Sequence, residues 1–121
     1  MGEVEAAVQK FQRELNAGTV ALVLLTTLDT SSEPLYGYEI ARRLQPGEDD
    51  PRVKQGTLYP VLRSMESSGL LSSEVEPSSS GPPRRYYRVT PLGEEVLEAW
   101  DRLWVATRDF VEEIRKGADR G

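Results

Sequence analysis

The stretch QGTLYPVLRSMESSGLL, residues 55–71, predicts a short amphipathic helix with an unusually bare outer face. At about 100° per residue, one side of this helix is apolar and the other carries small groups and an arginine. The apolar side consists of Leu58, Val61, Leu62 and Met65. The opposite side consists of Gly56, Pro60, Arg63 and Ser67. The outer face has small side chains, a few hydrogen-bond donors and no acidic residue before Glu66. These features suit a helix that enters the DNA major groove. A solvated surface helix with one arginine fits the same pattern.

The start of this helix favours contact with an anion. We expect Thr57 to be the N-cap, so that Pro60 lies in the first turn, where its missing N–H costs little. The remaining free N–H groups and the positive end of the helix dipole would then face a phosphate. Arg63 is expected to reach base edges, while Thr57 and Tyr59 hold phosphates. Gly69 is expected to end the helix.

Two further helices are predicted before this stretch. From Val4 to Leu28 the apolar residues keep the 4-3 spacing of a long helix, which should be buried more deeply in its second half. The residues DTSSEP at 29–34 are typical of a turn, and Pro34 is expected to open a second helix at 35–45. The acidic segment PGEDDP at 46–51 predicts a polar loop, and we expect it to point away from DNA.

A hairpin and a long helix are predicted after it. LLSSEVE at 70–76 and RRYYRV at 84–89 predict two antiparallel strands, joined by a loop at 77–83. Thr90 as N-cap and Pro91 at the first position begin a helix that runs to about Lys116. The predicted fold is mainly α with a small two-stranded β wing: a winged helix-turn-helix with long N- and C-terminal helices that dimerise. The predicted units are an N-terminal helix at 1–30, a DNA-binding core at 31–90, a dimerisation helix at 91–117 and a frayed tail at 118–121.

Composition argues against several classes of function. The 121 residues include 20 acidic and 15 basic side chains, for a net charge of −5, and neither cysteine nor histidine. Disulfides, the commonest zinc ligands and the commonest general base are therefore absent, so we expect no cofactor, no metal and no enzymatic activity. The longest apolar run, Val20–Leu25, is too short to span a bilayer, and the N-terminus shows no signal peptide pattern. We expect a cytoplasmic protein without a membrane partner.

The basic residues are concentrated where the predicted DNA contacts lie. Residues 51–65 and 84–93 contain no acid; the first segment carries Arg52, Lys54 and Arg63, and the second Arg84, Arg85 and Arg88. This distribution is the footprint of a surface that meets phosphates, despite the acidic chain as a whole. A solvated edge strand protected by positive charge would explain the second segment equally well.

The last helix carries a wide apolar stripe. The residues that form the stripe with a 4-3 spacing are Val96, Trp100, Leu103, Thr107, Phe110 and Ile114. The stripe is widened by Leu97, Trp104 and Val111. One small domain cannot easily bury this face together with the N-terminal helix, so we expect a two-fold dimer. Packing of the two helices on each other within one chain is the alternative.

Three motifs together resemble the PadR-like transcriptional regulators. They are LYGYEI at 35–40, GTLYPVLRSMESSGLL at 56–71 and GPPRRYYRVTPLG at 81–93. The resemblance implies a winged-helix DNA-binding core and a C-terminal dimerisation helix, in a protein that usually represses and is sometimes released from DNA by a small molecule. A winged-helix module for protein–protein contact remains the alternative function.

The resemblance and the patterns together give three sets of expected site residues. Double-stranded DNA with a palindromic operator is expected to contact Tyr38, Lys54, Gln55, Thr57, Leu58, Tyr59, Pro60, Arg63, Arg84 and Arg85. The homodimer interface is expected to contain Val8, Phe11, Leu15, Val96, Trp100, Leu103, Trp104 and Phe110. A small aromatic effector is expected to stack on Trp100 and Trp104 beside Phe11, in a cavity also lined by Val8, Leu15 and Leu97; the alternative is that both tryptophans fill the dimer core.

Overall fold

The computed structural model describes residues 2–45 and 54–120, and its element order is that of a winged helix-turn-helix. The elements are α1 (Glu3–Asp29), β1 (Leu35–Tyr36), α2 (Gly37–Arg43), α3 (Gln55–Ser67), β2 (Leu71–Ser78), β3 (Gly81–Val89) and α4 (Pro91–Arg120). The mainly helical fold with a small β wing is therefore confirmed. The loop predicted at 46–51 lies outside the described residues. None of the described helices is long and apolar enough to cross a membrane.

The sheet of the described residues has three strands, one more than expected. Pro34 does not open a helix; instead β1 pairs antiparallel with β3, with Leu35 opposite Tyr87 and Tyr36 opposite Tyr86. The extended backbone directs Leu35 into the core, where it is 3% exposed, and directs Tyr36 to the other face. There the Tyr36 ring packs edge-on against Tyr86 with centroids 5.4 Å apart. This pairing delays the start of α2 to Gly37.

The hairpin β2–β3, hereafter the wing, is longer than the sequence indicated. Its strands include most of the predicted loop at 77–83, so that only residues 79–80 form the turn. Pro77 lies at an irregularity of the edge strand β2, between Glu76 and Ser78. Pro82 and Pro83 lie in the part of β3 that extends beyond β1. Prolines are tolerated at edges and bulges, because no ladder hydrogen bond is lost there.

Helix α3 begins three residues earlier than the expected cap at Thr57 implied. Its N-cap is Lys54 rather than Thr57, so Pro60 lies in the second turn and not in the first. The ring deprives the Gly56 carbonyl of its usual partner four residues on. The end is as predicted, because Gly69 adopts a positive φ of 82°. Leu70 N–H then donates to Met65 O at 2.9 Å and Gly69 N–H to Glu66 O at 3.0 Å, the pattern of a Schellman motif.

The core joins the second half of α1 to α2, α3 and the base of the wing. Its fully buried side chains are Leu24, Leu25, Ile40, Leu58 and Leu62. The predicted apolar face of α3 thus packs inward, which leaves the opposite face exposed. Tyr87 of β3 and Leu97 of α4 close the core from the other side, at 4% and 6% exposure.

A tight junction fixes the start of α4 against the wing. Thr90 Oγ1 accepts from Gly93 N–H at 3.0 Å, as expected of an N-cap, and donates to Gly69 O at 2.6 Å. A Cβ on Gly93 would lie 2.2 Å from Leu70 O, so only glycine fits. At the other end α4 continues to Arg120, beyond the expected end near Lys116. Gly117 stays helical instead of taking the left-handed conformation that ends a helix.

Candidate nucleic-acid interface

The outer face of α3 presents small and polar groups to solvent, as the sequence indicated. Thr57, Pro60 and Arg63 are exposed, and Tyr59 is 41% exposed. Leu58 is an exception among the expected DNA contacts, because its side chain is fully buried in the core. It stabilises the helix from below and cannot face DNA.

Arg63 and the wing arginines meet across one open cleft between α3 and the wing. The cleft has a volume of about 750 Å³ and is lined by Tyr36, Gly37, Tyr38, Tyr59, Arg63, Glu66, Ser67, Pro83, Arg84, Arg85 and Tyr87. Five of the expected contacts therefore come together here, namely Tyr38, Tyr59, Arg63, Arg84 and Arg85. Lys54, at the N-cap of α3, and Thr57 and Pro60 lie outside this lining, and Gln55 is the first residue of α3.

Arg84 is held on one face of the wing by aromatic rings. Its guanidinium carbon lies 4.5 Å from the centroid of Tyr36. Tyr36 in turn stacks on Tyr38, with centroids 6.2 Å apart, and Arg42 of α2 lies 6.0 Å from the Tyr38 centroid. Attraction between a guanidinium and a ring face leaves the N–H groups at the edge of the guanidinium available to an anion.

Arg85 lies on the opposite face of the wing and has a different environment. Its Nη1 donates to Ser73 Oγ at 2.9 Å, and Ser73 Oγ donates to Glu66 Oε2 of α3 at 2.5 Å. The neighbouring Tyr87 hydroxyl responds to its burial and to the same charged groups. Burial raises its pKa most, and the Glu66 carboxylate raises the pKa further, whereas Arg85 lowers it by a smaller amount.

Gly37 allows Tyr59 to lie against the first turn of α2. A Cβ at position 37 would lie 2.6 Å from Tyr59 Cε1 and 2.7 Å from its hydroxyl oxygen. The absence of a side chain thus sets where the Tyr59 ring can sit at the mouth of the cleft.

Comparison with known proteins matches this arrangement to a family. The model of the transcriptional regulator PadR-like family matches residues 24–99, which is more than half of the chain. The chain belongs to the PadR-like family of transcriptional regulators. Its members are DNA-binding regulators and not enzymes.

Solved and curated relatives agree with the PadR-like assignment. A PadR family regulator from Eggerthella lenta is 35% identical, with 92% of this chain and 94% of that chain covered and a TM-score of 0.79. A PadR-like regulator from Bacillus cereus is 30% identical, with 84% and 95% covered and a TM-score of 0.68. An uncharacterised HTH-type transcriptional regulator of Methanothermobacter thermautotrophicus is 35% identical over 105 residues, which is 85% of this chain and 72% of the relative.

A second feature of this PadR-like chain is an apolar groove between α1 and α4. It has a volume of about 410 Å³, and its lining includes Leu15, Trp100, Leu103 and Trp104. Trp100 is half-buried against the core, whereas Trp104 is 43% exposed. Three residues expected beside the tryptophans, Val8, Phe11 and Leu97, are absent from this lining. Phe11 lies one turn before Leu15 on α1, and Leu97 is buried in the core.

The residues expected at a dimer interface form an exposed apolar surface. Val8, Phe11, Leu103 and Phe110 are each more than half exposed, and Leu15 and Trp104 are partly so. Val96 and Trp100 pack against the core and are half-buried. Intramolecular packing of α1 on α4 thus covers only part of the stripe in a single chain.

Sequence patterns missed Gly37, Glu66 and Ser73 as parts of the interface, and for Tyr36 of the LYGYEI motif they left phosphate contact and core packing open. Periodicity assigned Tyr36 to a helix, and neither Glu66 nor Ser73 belongs to a basic segment. One feature of the sequence could have pointed to Glu66, because it is a single acid on a helix whose outer face is otherwise free of acids.

Proposed function

We propose that this PadR-like regulator is a repressor, that it binds a palindromic operator as a homodimer and that a small planar aromatic compound releases it. In this proposal residues 31–90 form the DNA-binding core, and α1 and α4 supply the dimer interface. The observation that carries it is the joining of the exposed face of α3 to the wing arginines across one cleft.

The chemistry of the cleft supports contact with DNA. Arg63 on α3 lies where a helix in the major groove can present a guanidinium to guanine. Arg84 on the wing carries an unpaired charge in the described structure, since Glu76 lies opposite it in the strand register yet forms no ion pair with it. Arg84 is thus suited to a phosphate, which fixes position rather than sequence.

The exposed stripe on α1 and α4 supports a homodimer. Large apolar side chains such as Phe11 and Phe110, each 63% exposed, are costly to leave in water. A two-fold partner would cover the same stripe on both chains at once. It would also place two α3 helices to meet half-sites one DNA turn apart, at about 34 Å.

The groove between α1 and α4 supports an aromatic effector. Its wall contains the rings of Trp100 and Trp104, and its volume of about 410 Å³ suits a molecule of two or three fused rings. To lower DNA affinity, such a compound must favour a spacing of the α3 helices that does not fit the operator.

Selection of DNA by the purified protein tests the proposal. Random duplexes are selected, and the complex with the enriched duplex is then sized by sedimentation. We expect an inverted repeat bound by two chains, and occupancy of the promoter by the protein should lower transcription in vitro. An enriched site without two-fold symmetry, or one bound by a single chain, would contradict the dimeric mode.

A titration with planar aromatic compounds tests the effector separately. We expect saturable quenching of tryptophan fluorescence, reduced in Trp104→Ala, and a parallel loss of operator binding by the wild type. Quenching without any change in operator binding would contradict release by the effector.

A further inference from the structure

We infer that Glu66, Ser73 and Arg85 form a positioning network that holds the wing at a fixed angle to α3. In this arrangement Arg84 contacts phosphate, while Arg85 orients the wing instead of contacting DNA. The inference rests on the proposed binding of DNA in the cleft, and it separates the roles of two neighbouring arginines.

The network connects three elements through a single hydroxyl group. Ser73 on β2 accepts from Arg85 Nη1 of β3 at 2.9 Å and donates to Glu66 Oε2 of α3 at 2.5 Å. A serine hydroxyl has one proton to donate, so this arrangement uses its donor and an acceptor site together. Replacing the hydroxyl would therefore remove the hydrogen bonds that link both strands of the wing to Glu66 of α3 at once.

The network lies where the wing leaves the core. Tyr87, the strand partner of Ser73, is buried, but none of the residues from Ser72 to Tyr86 is. Core packing therefore fixes the base of the wing and not its outer part. Hydrogen bonds to a charged group at this point can set the direction in which the exposed strands extend.

Charge explains why an acid is tolerated in the cleft. Glu66 is the one acidic residue in the sequence of α3, and it lines the cleft in which phosphate is expected. An uncompensated carboxylate there would repel DNA. Donation from Ser73 to Glu66 Oε2 offsets part of this charge, and Arg85 is linked to Glu66 through the Ser73 hydroxyl without a direct ion pair. The guanidinium of Arg84 lies instead on the other face, over the Tyr36 ring.

The two arginines should consequently respond differently to substitution. Loss of a phosphate contact lowers the slope of log affinity against log salt by about one. Arg84→Ala should show this change. Arg85→Ala should weaken binding without it, because a change of wing angle affects the fit and not the number of counterions released.

Operator binding of Ser73→Ala, Arg85→Ala and the double variant tests the network. Each single variant should bind about three- to tenfold more weakly, as expected for the net contribution of one typical hydrogen bond, and the double variant no more weakly than either. Ser73→Thr, which keeps the hydroxyl, should bind as the wild type does. Additive losses, or a salt slope that falls in Arg85→Ala as in Arg84→Ala, would overturn the inference.

A second measurement does not depend on DNA. The chain has no cysteine, so Ser80→Cys at the wing turn gives a single site for a spin label. The label should become more mobile when Ser73→Ala is added, while thermal unfolding and a label at Gly117→Cys on α4 stay unchanged. Equal mobility with and without Ser73→Ala would overturn the inference even if no operator is found, whereas failure to find an operator would count against the proposed function alone.

Discussion

The guanidinium carbon of Arg84 lies 4.5 Å from the centroid of the Tyr36 ring, which joins the wing to the first strand of the sheet. Tyr36 was assigned to a helix by its sequence pattern, and only its pairing with Tyr86 brings its ring under Arg84. The arginine is thus oriented by a neutral partner, and its charge remains available to a phosphate.

Replacing Arg84 should weaken binding to every DNA sequence alike. We expect Arg84→Ala to lower the salt slope by about one and Arg84→Lys to preserve it, because lysine keeps the charge but loses the planar stacking. Affinities for operator and random duplex at several salt concentrations measure both effects. A loss confined to the operator would show that Arg84 reads sequence instead.

Adding a methyl group at Gly37 should displace Tyr59. The new Cβ would meet the far end of the Tyr59 ring, which can move, so the free energy of unfolding should change by less than about 1 kcal/mol. DNA affinity should fall because the ring leaves its place at the cleft. The effects of Gly37→Ala and Tyr59→Leu on DNA affinity should not add, and full additivity would contradict the contact.

Adding a methyl group at Gly93 should instead destabilise the fold. Here the Cβ would lie 2.2 Å from the backbone oxygen of Leu70, so we expect a loss of about 1–3 kcal/mol from strain at the junction. Gly117→Ala is the matched control, because no atom lies within 4 Å of a Cβ there. It should stabilise α4 by up to about 1 kcal/mol. Urea unfolding gives the free energy of unfolding of both variants. Equal changes in Gly93→Ala and Gly117→Ala would mean that the junction at Gly93 is not tight.

Stability should fall at high pH through Tyr87. Burial and the Glu66 carboxylate raise the pKa of this hydroxyl in the folded state above its ordinary value of about 10. The protonated form is thus favoured by folding, and its contribution is fully present below pH about 10 and lost as pH rises through the folded pKa. Tyr87→Phe should remove this loss, whereas Tyr38→Phe, at an exposed ring, should not. Urea unfolding at a series of pH values above about 9 measures the loss in the free energy of unfolding. If Tyr87→Phe lost the same free energy over this range as the wild type, Tyr87 would not be the cause.

Apolar periodicity predicted the helices because each long helix carries one continuous apolar face. Leu58 and Leu62 of α3 are fully buried, as their spacing required. The end of α3 at Gly69 and the cap at Thr90 were also predictable, since each depends on local backbone chemistry. Leu58 was nevertheless also placed among the DNA contacts, because motif resemblance does not distinguish the two faces of a helix.

What the sequence could not predict depends on contacts between distant segments. Strand β1 is two residues long, which is too short to show the alternating pattern of apolar residues that predicts a strand. It forms because β3 lies beside it and pairs with it. The prolines of the wing were expected to exclude strands, but they lie where β3 extends beyond β1 and where its ladder with β2 is irregular. Likewise, Glu66 and Ser73 are seven residues apart with no pattern that links them.

The central claim is that α3 reads DNA, and the sequence preference of Arg63→Ala tests it most directly. Competition binding with the selected operator and with single-base variants gives the preference. We expect Arg63→Ala to lose about 1–3 kcal/mol of discrimination at one base pair of each half-site. Arg13→Ala, an exposed arginine on α1, should leave the preference intact. If Arg63→Ala bound the operator and all its variants with the affinities of the wild type, α3 would not be the reading helix.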